Sequence, residues 1–174
     1  MVILAVFVFA MALRFVPHVP AIVPISALAL YAGACMDKKY RIVLPVALFI
    51  ATDLVLGLHE TVLFTWGSIA LIALAGTACK RWNTGIAVGG SLAGALFFFA
   101  VTNFGVWLVG RDMVSGAGMY PHSVAGLAAC YAAGLPFLVN SLIGNACFAV
   151  ALTGLHSALS RVDAERSRSL LLSR

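Results

Sequence analysis

A chain of 174 residues that is 63% hydrophobic and 10% charged, with a mean hydropathy of +1.06, cannot be a soluble domain, where about 25% of residues are charged. A water-soluble fold of this size would expose large apolar patches and aggregate. Composition also excludes a disordered chain and a disulfide scaffold, and leaves an integral membrane protein.

A helical span needs about 20 apolar residues. The length therefore holds at most about six spans, with almost nothing outside the bilayer. No G-x-x-x-x-G-K-[ST] occurs, so an ATP-driven step would need a partner protein.

Six apolar stretches follow in chain order: residues 2–13, 25–35, 42–58, 62–78, 86–108 and 124–159. The first lacks a basic flank and a small-residue cleavage site, so it is expected to be a retained span. Between the first two stretches stand Pro17, Pro20 and Pro24. Three prolines in eight residues cannot continue a helix. An irregular outer loop is expected there, dipping into the protein, because non-helical backbone at membrane depth needs protein or a water-filled cavity around it. The last stretch exceeds one straight span, and Pro136 predicts a kink in it. The expected organisation is one all-α transmembrane domain over residues 1–160, a six-helix bundle, followed by a short basic cytoplasmic tail, 161–174.

Orientation follows from the cations. With the N-terminus inside, the inner segments hold Lys38, Lys39, Arg41, Lys80, Arg81, Arg161, Arg166, Arg168 and Arg174, leaving Arg14 and Arg111 outside. This positive-inside bias predicts a multi-pass protein of the bacterial inner membrane with both termini cytoplasmic. The net charge of +5 is thus a topology signal, and no nucleic-acid partner is expected, since no basic cluster stands on a soluble surface.

The outer side holds His18, His59 and His122, with Trp66, Trp107 and Tyr120. The connection 110–123 is turn-rich through Gly116, Gly118 and Pro121. These segments either close over a cavity or anchor at the headgroups, where Trp and Tyr collect. Gly85-x-x-x-Gly89 and Gly90-x-x-x-Gly94 put small residues on helix faces, and Ala27, Ala29, Ala32, Gly33 and Ala34 smooth the second span. Such surfaces pack within the bundle or against a partner membrane protein.

Three kinds of residue can carry chemistry. Asp53 is the one acidic residue inside a span, where a charge must pair or face a cavity; Arg14 and Arg111 are the candidate partners. Asn103 and Asn140 are polar groups in apolar spans and each needs a partner or a ligand. The four cysteines form no C-x-x-C and lack zinc spacing. Lys80 and Arg81 beside Cys79 favour its thiolate, whereas Cys130, next to Tyr131, lies nearer an outer cavity. No Ser/His/Asp order or H-E-x-x-H occurs.

Several segments carry a resemblance: Phe15-Val16-Pro17-His18-Val19-Pro20, Thr52-Asp53-Leu54-Val55-Leu56-Gly57-Leu58-His59, Thr102-Asn103-Phe104-Gly105-Val106-Trp107, Tyr120-Pro121-His122, and Gly126-Leu127-Ala128-Ala129-Cys130-Tyr131 through Gly144. Over nearly its whole length the chain resembles a group of small bacterial transport proteins similar to the S-components of energy-coupling-factor (ECF) vitamin transporters, and most resembles the solitary, BtuM-like cobalamin S-components. The resemblance implies a six-helix S-component fold that captures cobalamin from the outer side, with or without an ECF transmembrane and ATPase module. It also implies a cysteine thiolate on cobalt, Cys79 or Cys130, which would help remove an upper cyanide. Soft thiolate suits that metal.

Cobalamin is then the transported ligand rather than a prosthetic group. Trp107, Tyr120, Tyr131 and Phe137 can pack on a flat macrocycle, and His18, His59, His122 and Asn103 can meet its amide edges. Asp53 and Asn140 complete the candidate set. The alternatives are an intramembrane thiol enzyme using Cys79 or Cys130, a transporter of another vitamin, and a non-catalytic membrane scaffold with a collapsed cavity.

Overall fold

A computed structural model describes residues 2–15, 24–111 and 116–172. It contains six α-helices: α1 Val2–Ala12, α2 Ile25–Cys35, α3 Val43–Leu56, α4 Val62–Gly76, α5 Thr84–Val109 and α6 Val124–Leu172. A 3-10 turn, Leu13–Phe15, extends α1. No strand occurs among the described residues; an isolated bridge pairs Arg111 with Gly118. The all-helical class expected from the sequence is observed. By length and composition, Thr84–Val109 and Val124–Val162 are apolar enough to cross a membrane, and Ile25–Cys35, Val43–Leu56 and Val62–Gly76 are shorter apolar helices. His18 and the rest of the proline-rich stretch through residue 23 lie outside the described residues.

Local chemistry sets the boundaries. Asn83 begins α5, its side chain accepting the Ile86 N–H at 3.0 Å, which satisfies one of the orphan donors of a first turn. Gly57 ends α3 at φ 105°, a backbone conformation that only glycine adopts freely. Pro136 lies inside α6. It removes one intrahelical bond, yet the helix runs across it as a single element. That helix also continues to Leu172, so most of the segment expected as a short basic tail is helical.

The core centres on α2. Its residues from Ser26 to Gly33 are all buried, enclosed by α4, α5 and α6. Gly33 and Gly76 make the tightest crossing. A Cβ on Gly33 would run into the Ala73 carbonyl, and one on Gly76 into that of Leu30. The small-residue face of α2 is therefore used within the bundle. Of the two glycine pairs on α5, Gly90 and Gly94 pack on Leu30 and Ser26, whereas Gly89 faces open space.

The end of α1, the α3–α4 turn and the end of α5 share one end of the bundle, the Trp107 end: Arg14 pairs with Asp53 near the end of α3, and Glu60 accepts the Arg111 N–H just after α5. The other end carries the turns with Lys38, Lys39, Arg41, Lys80, Arg81 and Trp82.

Candidate ligand site

Two polar assemblies lie toward the Trp107 end. The first surrounds Asp53, which is 1% exposed. Arg14 Nη2 donates to Asp53 Oδ1 at 2.7 Å, and Trp66 Nε1 donates to Oδ2 at 2.7 Å. Arg14 also donates to the Thr52 hydroxyl, and its guanidinium stacks over the Phe49 ring, 3.8 Å from the centroid. Of the two candidate partners, Arg14 is the one used. The buried charge is thus paired and hydrogen-bonded on both oxygens, the condition for its survival in an apolar interior. The network joins the end of α1 to α3 and α4.

The second assembly is a cavity of about 340 Å³ between α5 and α6. Thr102, Asn103 and Val106 come from α5; Cys130, Ala133, Gly134 and Phe137 come from α6; Met119 and Tyr120 close it from the connection. None of these nine residues is charged. Asn103 Nδ2 is bound to the Phe99 carbonyl at 2.9 Å, and Cys130 Sγ donates to the Asn103 carbonyl at 3.3 Å. Gly134 lets the two helices approach, since a Cβ there would meet Asn103 Oδ1 at 2.5 Å.

Four residues singled out in the sequence, Asn103, Tyr120, Cys130 and Phe137, therefore share one cavity. Trp107 and His122 stand beside it, their ring centroids 5.4 Å apart, with Trp107 Nε1 donating to the Pro121 carbonyl at 3.0 Å. Tyr131 turns to α5, donating to the Ala100 carbonyl at 2.6 Å. The others stand apart. Asp53 belongs to the Arg14 network. His59 is exposed and bonded to Thr61 Oγ1 at 2.8 Å. Asn140 lies one turn along α6 from Phe137. Cys79 precedes α5, and Thr84 to Thr102 alone spans roughly 27 Å of helix, so Cys79 is at the opposite end from the cavity.

Sequence reasoning missed Thr102, Val106, Met119, Ala133 and Gly134 as lining residues. The spacing Cys130, Gly134, Phe137 puts three residues on one helical face and was the available signal for α6; nothing marks Met119. It also missed a part-buried pair at the Trp82 end, where Tyr31 Oη and His156 Nδ1 are 3.0 Å apart and the Trp82 ring meets Tyr31 edge-on, 5.2 Å between centroids. Among the described residues no group of three or more His, Cys, Asp or Glu could hold a metal ion.

A family model described as a family of unknown function, DUF6580, matches residues 1–167. No curated protein and no solved structure matches the chain. The chain belongs to the DUF6580 family.

Proposed function

We propose that this DUF6580 member is a six-span inner-membrane protein, both termini cytoplasmic, that takes up a cobalamin-like corrinoid from the outer side and binds its cobalt through Cys130. The observation that carries this reading is the uncharged cavity into which Cys130 opens, with Asn103, Tyr120 and Phe137 around it. An aromatic pair can stack on a macrocycle, an amide can meet its amide edge, and a thiolate is a soft ligand for cobalt. The lining offers no cation for an anionic vitamin. A scaffold would need no such cavity.

Membrane placement rests on the surface. Val8, Phe9, Leu54, Val55, Leu63, Leu71 and Ile143 are more than half exposed, as lipid-facing side chains are. The Trp82 end holds five cations and becomes the cytoplasmic face. Helices α3 and α4 cover roughly 21–23 Å at 1.5 Å per residue, and local thinning or snorkelling closes the difference from a bilayer core.

A visible spectrum tests the reading. Protein purified from cells supplied with cobalamin should be coloured, with a spectrum shifted by sulfur ligation. Cys130→Ala should abolish the shift and Cys79→Ala should keep it. A colourless preparation, or a shift that survives Cys130→Ala, overturns the assignment.

A further inference from the structure

Two basic turns converge at the Trp82 end. Helices α2 and α4 touch at Gly33 and Gly76. They run the same way, since a Cβ on Gly94 would meet both Ser26, before Gly33, and Ile72, before Gly76. Lys38 and Lys39 follow Gly33 by five and six positions, and Lys80 and Arg81 follow Gly76 by four and five. Trp82, the next residue, folds the second turn back onto α2, its ring 5.2 Å from that of Tyr31. The α2–α3 turn is ordered by Asp37, whose carbonyl accepts the N–H groups of Tyr40 and Arg41 at 2.8 and 3.2 Å. Arg41 Nε is used up by the Met36 carbonyl at 2.7 Å.

Lys38, Lys39, Lys80 and Arg81 are all exposed, and among the described residues none of them is in an ion pair. Asp37 is the one acidic residue of the two turns. Helix α5 adds to this field. Asn83 takes the Ile86 N–H, while Thr84 and Gly85, both exposed, carry first-turn donors with no intrahelical partner. The positive end of a 26-residue helix thus follows directly on Lys80 and Arg81, an arrangement suited to phosphate. Apolar side chains border the charges: Val43 opens α3, Leu71 and Leu74 end α4, and each is at least half exposed.

We propose that the α2–α3 and α4–α5 turns together form a headgroup site for one anionic phospholipid, its phosphate shared by the lysines and arginine of both turns and the start of α5. The exposed Val43, Leu71 and Leu74 give its chains an apolar surface, which a free phosphate would not use. The inference rests on the membrane placement and is independent of the corrinoid. Two turns, rather than one basic loop, make the site, so cations from both are needed.

Native mass spectrometry of the full-length protein in detergent tests this, counting bound phosphatidylglycerol against phosphatidylcholine. Phosphatidylglycerol should saturate at one per chain. Lys38→Gln with Lys39→Gln, and Lys80→Gln with Arg81→Gln, should each weaken it about thirtyfold, the factor for two charges near a membrane surface. Arg111→Gln, at the opposite end, should bind as the parent does, and Asp37→Asn should bind more tightly. Equal binding of the two lipids overturns the site, as does a loss confined to one turn or an equal loss in Arg111→Gln. Displacement by inorganic phosphate at the lipid's own concentration overturns the choice of a lipid. Protein recovered from the soluble fraction without detergent would sink the membrane placement itself. Protein that needs detergent yet shows no preference for phosphatidylglycerol sinks the headgroup site alone.

Discussion

Asn145 on α6 accepts the backbone N–H of Ala27 at 2.8 Å, from 118 residues away in the chain. Ala27 is in the first turn of α2, where N–H groups have no intrahelical partner, and the preceding Pro24 makes no side-chain cap. A residue of another helix therefore caps α2 in the interior. Asn145 is itself held by the Ser141 carbonyl at 2.8 Å and the Ser141 hydroxyl at 3.1 Å. Asn145→Leu keeps the volume and leaves the Ala27 donor unsatisfied. It should cost about 1–3 kcal/mol, read as a lower unfolding midpoint in detergent, whereas Ser141→Ala should cost less because Asn145 keeps its carbonyl partner.

The Gly33 and Gly76 crossing makes a sharper demand. A Cβ on Gly33 meets backbone of α4 rather than a flexible side-chain tip, so nothing local can yield. Gly33→Ala should destabilise the bundle by about 1–3 kcal/mol as an overpacked contact. Gly89→Ala, into open space, should be neutral or slightly stabilising, since alanine is the better helix former. Parallel thermal unfolding of the two variants checks the contrast.

Periodicity and composition made the helices legible, because apolar runs and prolines act locally. The stretch 25–35 coincides with α2, and 86–108 falls within two residues of α5 at each end. Pairings between distant segments were less visible. Asp53 demanded a cation, which narrowed its partner to two, but only packing chooses Arg14. Cys79 and Cys130 were indistinguishable because neighbouring charge favours one and depth the other, and neither signal encodes which helix faces a cavity. Gly33 and Gly76 are 43 positions apart, and Asn145 and Ala27 farther still, so no local pattern reveals them. The segment after residue 160 gains charge, and that it is helical to Leu172 was not legible from charge, because a helix is propagated by backbone bonds.

Gly134 sits where α6 comes closest to Asn103 and Phe99 of α5. A valine there would drive against Asn103 Oδ1 and Phe99 and fill space beside Cys130. Gly134→Val should weaken retention of a corrinoid about tenfold or more, corresponding to strain of about 1.4 kcal/mol or above. The measurement is the corrinoid-to-protein ratio after gel filtration, with Gly89→Ala as a variant that should retain the parent ratio.

The two ends of the bundle differ in charge, and that difference predicts which side each faces. Green fluorescent protein fused after Arg174 should fluoresce, because it folds in the cytoplasm, while alkaline phosphatase fused after Glu60 should be active, because it matures outside. The reverse pattern would turn the cavity toward the cell interior and remove the case for capture from outside.

The Arg14–Asp53 pair decides between a structural and a functional use of the buried carboxylate. Both Asp53 oxygens are occupied, by Arg14 and by Trp66, and Asp53 does not line the cavity. Its energetics should therefore be those of a closed network. Arg14→Met leaves a buried carboxylate unpaired and should cost about 3–5 kcal/mol. Adding Asp53→Asn removes the orphaned charge while keeping an acceptor for Trp66, so the double variant should recover much of that loss. Corrinoid uptake in the double variant should track the amount of folded protein. A double variant that folds as well as the parent and takes up nothing would give Asp53 a direct part in transport.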